Sequence, residues 1–465
     1  MLRFFRINDP YRLLAILVLI ALFALPFLIK TPPLSLQELQ YLLVGENVAA
    51  GHMMYVQIYD STAPFASGIF GLTDLLFGRS LIARDVLAIL MLFFQAAFFA
   101  VLLINNKAYN DSTYVPGLIF ALLCFISYDF MTFTPELFAS TLLLLALNNL
   151  FKEIEFRVER EEIVLNLGVY LGAASIFVFS YSIFLIASLL LLVLFARISF
   201  RKSTLLVFGF LLPHAILFAL YLRWDETTAL WENFYAPNLT WKTTKFITWS
   251  SLRYLLLVPV VYFVISLFML TREARFTKYQ SQLFQVMFLW LMFALVQILL
   301  TRELTPHSFL PALPSLTYFI SHYLLLIRRR WIAELMFWIF MISVLTISNL
   351  AANNKISSID YSAMMASPTT DSPLKDKKVM VLGDSLPVYF QNTLGGYFLN
   401  WELSRETVAN MNYYGNALKV EDAFAKNAPD VVIDKENLMP GILNRIPSLQ
   451  NVYRKEGSVY KRVNN

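Results

Sequence analysis

The chain has 465 residues, of which 58% are hydrophobic and only 15% charged, and its net charge is +5. Soluble domains carry roughly 25% charged residues, so this composition excludes an ordinary water-soluble protein. The basic excess does not indicate nucleic acid, because the Lys and Arg residues sit in short stretches between apolar runs, where membrane topology accounts for them.

Those runs recur from Leu13 to Leu350, and a bilayer core needs roughly 20 apolar residues per helix. In chain order they predict about eleven spans, at Leu13–Ile29, Val86–Ile104, Val115–Tyr128, Leu137–Phe151, Ile163–Phe179, Ile183–Phe195, Leu205–Leu222, Leu252–Leu270, Leu283–Leu300, Phe309–Ile327 and Trp331–Leu350. The first lacks a small-residue cleavage site and ten more follow it, so it reads as a retained helix rather than a signal peptide. The single cysteine, Cys124, excludes an internal disulfide.

Charge sets the expected orientation. Sixteen Lys and Arg residues fall in one set of alternate connections, including Arg3, Arg6, Arg157, Arg275 and Arg328 to Arg330, against eight in the other set before residue 351. By the positive-inside rule the first set is cytoplasmic. The N-terminus is then cytoplasmic, and residues 351 onward lie outside.

Two outer segments are too long for turns. In the first, Ser35 to Glu38 opens a helix with a capping box, in which Ser35 caps forward and Glu38 reaches back. Leu34 and Leu39 suit a hydrophobic staple, and Gly51 suits the end of that helix. The apolar piece Phe65–Phe77 is too short to cross alone and suits the interface. The second outer segment, Arg223 to Trp249, holds Trp224, Trp231, Tyr235, Trp241 and Trp249. These rings fit an aromatic interface belt or a stacking surface for sugar. Past Leu350, residues 351–374 read as a polar linker. Residues 375–465 read as a small α/β domain, with strands at Lys378–Gly383, Val431–Asp434 and Ser458–Lys461. The preceding 1–350 form the membrane domain, with 31–84 as its first outer loop.

Gly383-Asp384-Ser385-Leu386 has the opening of a serine esterase motif. None of the four histidines, His52, His214, His307 and His322, lies in that domain, and a serine nucleophile needs a base. The motif reads as a strand-to-helix turn with Ser385 or Asp384 as the cap. His214 and His322 lie in apolar spans and read as packed residues. There is no His/Cys metal spacing, no phosphate loop and no internal repeat; no cofactor is identified, and no pattern supports a divalent metal.

The first outer segment is more informative. Gln37 and Glu38, then Tyr41, Gly45, Gly51, Tyr55, Gln57, Tyr59, Asp60, Pro64, the run Phe77-Gly78-Arg79-Ser80, and Ala83-Arg84-Asp85 follow one another in order. In this order and spacing the chain resembles the C-type glycosyltransferase (GT-C) superfamily, polytopic enzymes that use polyprenyl-linked sugars. Glu136 after Pro135, the stretch His307-Ser308-Phe309-Leu310-Pro311, and the tail around Ala428-Pro429-Asp430 extend the likeness over most of the chain. The resemblance implies an α-helical GT-C-like membrane fold with a small extracytoplasmic α/β domain, in the cell (inner) membrane with that domain periplasmic. It implies transfer of a sugar from a polyprenyl-phosphate carrier to an extracytoplasmic lipid, glycan or protein acceptor. The implied partners are the polyprenyl-phosphate-linked donor and membrane lipid; no nucleic acid is implied, and no protein partner is named.

Site roles follow from the same resemblance. The family's base is the acid that opens the first outer helix. Here Gln37 holds that place and cannot take a proton, so the role falls to Glu38, which the capping box explains equally well without chemistry. Gln37, Asp60, Arg84, Glu136 and His307 are candidates for binding donor or acceptor: Arg84 for the phosphate, Asp60 in place of the family's Asp where this chain has Gln57. Each has a structural alternative. Asp60 suits a turn, Arg84 an ion pair at the membrane edge, Glu136 a helix N-terminus and His307 a helix start. Loss of the base leaves a second reading, a non-catalytic GT-C-shaped partner in an envelope complex.

Overall fold

The computed structural model describes residues 1–30, 32–156, 160–240, 242–273, 276–366, 374–457 and 459–463. Arg157, Trp241, Arg275, Ser458 and the linker residues 367–373 lie outside that set. The chain forms two compact units. The first comprises Met1–Pro32, Leu81–Leu217 and Trp241–Ala363; the second comprises Pro33–Ser80, Phe218–Thr240 and Met364–Asn465.

Among the described residues, nine helices are long and apolar enough to cross a membrane, from Tyr11–Ile29 to Arg330–Ala352. The chain is a multi-pass membrane protein. Two expected spans differ from the rest. The run from Val115 to Tyr128 is helical only over Val115–Leu123, about 13 Å at 1.5 Å per residue, which is less than half a bilayer core. Beyond it Ser127 is extended, and its hydroxyl lies 3.1 Å from that of Tyr361. The other is the 17-residue helix Glu161–Phe177, at the short end of the spanning range.

In the membrane unit that 17-residue helix packs on Phe200–Arg223 through small residues. A Cβ on Gly172 would stand 2.2 Å from the Phe210 carbonyl oxygen, so only glycine lets the backbones meet. Ser175 and the Nε2 of His214 are 2.8 Å apart at the same crossing, which makes His214 a packing residue. His322 is buried among the rings of Tyr109, Tyr318 and Phe276.

In the second unit the Leu36–Ala49 helix lies against Pro64–Phe77. Tyr41 and Phe70 stack with centroids 4.9 Å apart, and Gly45 admits the Phe70 backbone. The unit also contains a five-stranded sheet in the order Thr393–Leu394, Lys378–Leu382, Val431–Asp434, Val459–Arg462, Tyr453–Glu456. The first three strands run parallel and the last two add antiparallel. Backbone bonds stitch the two sequence-distant parts together. Leu36 N donates to Met364 O at 2.7 Å, and Tyr59 N to Tyr397 O at 2.7 Å. Arg79 Nη2 bonds both Glu46 Oε2 (2.8 Å) and Asn392 O (2.9 Å).

Candidate active site

The membrane unit gathers acids and a histidine where short 3-10 segments interrupt its helices. Thr305 and Ser308 form a capping box that starts Pro306–Ala312, and Pro306 fixes the first turn. The Trp290 indole donates to Pro311 O at 3.2 Å, fastening the segment to the Lys278–Leu300 helix. His307 is thereby held at 1% exposure. Opposite it, Tyr128–Met131 carries Asp129, also 1% exposed.

His307 Nδ1 lies 2.6 Å from Asp129 Oδ2. Its other ring nitrogen, Nε2, lies 3.1 Å from the Thr132 hydroxyl. That hydroxyl has one hydrogen, and it donates it to Asp129 O at 2.7 Å. The ring is thus held between a carboxylate at one nitrogen and a hydroxyl at the other. Such pairs in a membrane protein are costly to bury and mark functional sites by default.

Glu136 follows Pro135 in the first turn of Pro135–Phe156, where a carboxylate complements the helix dipole. His307 and Asp129 are the charged groups it feels most strongly. Gln95 donates to Leu137 O at 2.9 Å and so fixes this helix start against Leu81–Asn105. Arg84, on that same helix, is 5% exposed. The expected residues Glu136 and His307 thus come together. Asp129 and Thr132, which complete the cluster, escaped the sequence reading. The available signal was an acid directly after an apolar run, in the same outer turn as Glu136.

In the second unit the expected capping box is present. Ser35 Oγ accepts from Glu38 N, and Glu38 Oε2 accepts from Ser35 N, both at 3.0 Å. Gln37 is buried, while Glu38 is partly exposed. Asp60 is fully buried and bound from three sides. Gln40 Nε2 reaches its Oδ1 at 2.6 Å, and the Thr62 backbone N–H reaches Oδ2 at 2.9 Å, joined there by the Thr62 hydroxyl. Burial pushes its pKa up and those bonds oppose the shift. This is the geometry of a turn aspartate. Tyr55 nearby has φ +69°, a left-handed conformation that costs a non-glycine residue roughly 1–2 kcal/mol. Its hydroxyl bond to Thr62 O (2.7 Å) and its stacking on Phe234 hold it there. Trp224 and Trp231 are exposed, and Trp231 stacks on Tyr235.

The esterase-like turn carries no catalytic array. Gly383 has φ +147°, and Ser385 occupies the N-cap position of Leu386–Phe390. The expected cap is corrected in one respect: the Ser385 side chain makes no capping bond, because its backbone (φ −165°, ψ 68°) departs from cap geometry.

A helical membrane domain with a small C-terminal sheet region defines the GT-C-like fold. Comparison with solved structures finds ArnT from Cupriavidus metallidurans bound to undecaprenyl phosphate, with a TM-score of 0.58 at 13% identity over 97% of this chain and 98% of that one. It also finds the oligosaccharyltransferase AglB from Archaeoglobus fulgidus in complex with an inhibitory peptide and a dolichol-phosphate, at 0.50 and 9% over 98% and 74%. Both are GT-C superfamily members. At these identities the likeness is one of fold. No family model and no curated protein sequence matches the chain.

Proposed function

We propose that the chain is a membrane glycosyltransferase that moves a sugar from a polyprenyl-phosphate carrier to an extracytoplasmic lipid, glycan or protein acceptor. The observation that carries this reading is the buried Asp129–His307 pair beside Glu136, inside a GT-C-like membrane domain. A buried ionisable pair inside a membrane domain is a functional-site signal by default. The likeness to proteins solved with undecaprenyl phosphate and dolichol-phosphate supports the choice of donor.

In this reading Glu38 takes the proton of the acceptor hydroxyl, and the acceptor oxygen bonds to the anomeric carbon. The bond from that carbon to the lipid phosphate breaks, and polyprenyl phosphate departs with the electron pair. Arg84 is assigned to the phosphate charge, while Asp129 and Thr132 orient the His307 ring. Gln37 adjoins Glu38 in the first turn of the Leu36–Ala49 helix, and Asp60 fixes the following turn through Gln40 and Thr62.

The test uses the full chain in membrane vesicles with labelled polyprenyl-phosphate-linked sugars. Asp129→Asn and His307→Gln should each lower transfer by about two orders of magnitude, with normal protein levels. Unchanged transfer in both variants would sink the assignment.

A second reading is the non-catalytic GT-C-shaped partner of an envelope complex. It is favoured by Gln37 in the usual acid position and by the capping bond that occupies Glu38. It expects retention of polyprenyl phosphate by the purified chain with no transfer under any donor.

A further inference from the structure

A second charged cavity lies in the membrane unit, away from the Asp129–His307 cluster in sequence. It measures about 720 Å³ and its wall includes Arg3, Arg6, Arg330, Trp331, Asp111 and Glu334. Arg3 and Arg6 belong to the short segment before the first span; Arg330 and Glu334 open the last one.

Three guanidinium groups around one cavity need a reason. Arg6 is half-buried, and its Nη2 donates to Leu324 O at 2.9 Å. Burial, and next to it the charge of Arg330, push the Arg6 pKa down, against the opposing charges of Asp111 and Glu334. The half-buried Arg6 and the exposed Arg330 thus put like charges on one cavity wall, an arrangement that a bound anion relieves. Of the two acids, Glu334 accepts from the Leu2 backbone N–H at 3.1 Å and is engaged in starting the first helix.

The second observation concerns what continues from the cavity. Trp331 is 64% exposed, and Leu335, Trp338, Ile339 and Ile342 are exposed in turn. At spacings of four, three, one and three they form one apolar stripe along Arg330–Ala352. A tryptophan at the polar end of such a stripe marks the bilayer interface. The cavity therefore stands at headgroup depth, with hydrocarbon-facing surface running on from it.

We infer that this cavity is a headgroup site for an anionic glycerophospholipid, with the phosphate between Arg6 and Arg330 and the acyl chains along the Trp331–Ile342 stripe. Basic pockets between membrane helices recognise lipid phosphates in this way. The site is independent of the proposed glycosyl transfer.

The experiment is native mass spectrometry of the full chain released from bilayers of phosphatidylcholine mixed with phosphatidylglycerol, reading the ratio of the two lipids retained. Wild type retains phosphatidylglycerol preferentially. The double variant Arg6→Gln, Arg330→Gln should lose about 25-fold in that preference, at about fivefold per cation. Arg328→Gln with Arg329→Gln, on the same turn but outside the cavity wall, should change it far less. Asp111→Asn removes a competing negative charge and should raise the preference, which keeps the test decisive if the double variant fails to fold. Inorganic phosphate added as competitor separates the sources: displacement at equal phosphate concentration would mean a free-phosphate site and overturn the lipid assignment. An unchanged ratio in both the double variant and Asp111→Asn would overturn it as well.

Discussion

Glu38 has two possible occupations, and its geometry separates them quantitatively. Its carboxylate accepts from Ser35 N at 3.0 Å, and Ser35 is only 2% exposed. Glu38→Gln retains an acceptor oxygen at the same reach, and Gln serves in capping boxes. At the cap the loss is the helix-dipole interaction of the charge, about 0.3–1 kcal/mol. Glu38→Ala removes the acceptor and strands the Ser35 N–H, which costs about 1–3 kcal/mol. Stability should therefore rank wild type, then Gln, then Ala, with Gln shifting the melting temperature by less than about 3 °C. A cap and a base predict different rankings of activity. If Glu38 is the base, Gln is as damaging as Ala, and both lower transfer by roughly two orders of magnitude. If it is a cap, activity follows stability and Gln behaves as wild type. Transfer in membrane vesicles and thermal unfolding of the same preparations give both rankings. A Glu38→Gln variant with near-normal transfer would refute the base assignment and leave the capping box as the whole role of the residue.

Three further outcomes are expected. A reporter active only outside the cytoplasm should be active when fused after Leu350 and silent after Lys278; the reverse pattern would invert the orientation. Gly172→Ala should destabilise the membrane unit by about 1–3 kcal/mol or more, since its Cβ would meet the Phe210 carbonyl oxygen at 2.2 Å; an unchanged melting temperature would show that the two helices part easily. Ser385→Ala should leave activity and stability unaltered, because its side chain makes no capping bond; a loss of transfer with normal folding would return the esterase-like turn to consideration.

Local chemistry was readable from the residues themselves. Ser35 and Glu38 announce their capping box three positions apart, and the helix they open ends at Ala49, two residues before Gly51 at φ +88°. The strands Lys378–Leu382 and Val431–Asp434 are apolar runs set between polar turns. Most spans were visible because hydrocarbon selects for length and apolarity, which add along the chain. Their ends were less visible. At Leu123 the helix stops although apolarity continues, and just beyond it Ser127 meets Tyr361, far away in sequence. Asp129 was hidden for the same reason. On its own it is a turn acid after Tyr128, and only the fold brings His307 within 2.6 Å. Arg79 looked like an ordinary outer-loop cation, whereas it ties Glu46 to the Asn392 backbone.

The two neighbouring residues at the start of the Leu36–Ala49 helix differ in a way that bears on both functional readings. Gln37 is 7% exposed, whereas Glu38 is partly open and holds a backbone N–H. A carboxylate at position 37 would be desolvated, and its pKa would rise toward the working range of a general base. One at position 38 is partly exposed, caps the Ser35 N–H and complements the helix N-terminus. The chain thus keeps the acid where it stabilises the helix best and places a neutral amide where a base would be most strongly tuned. Catalysis from Glu38 then requires a bound acceptor to enclose the residue and desolvate it. A non-catalytic protein requires no such step, but it leaves the buried Asp129–His307 pair without a task. The unexplained group is therefore different in each reading: a weakly tuned base in the enzyme, an idle buried ion pair in the partner protein. Desolvating an idle pair is a standing cost to folding, whereas a weak base lowers a rate and leaves the fold intact. The balance of these physical demands favours the enzyme.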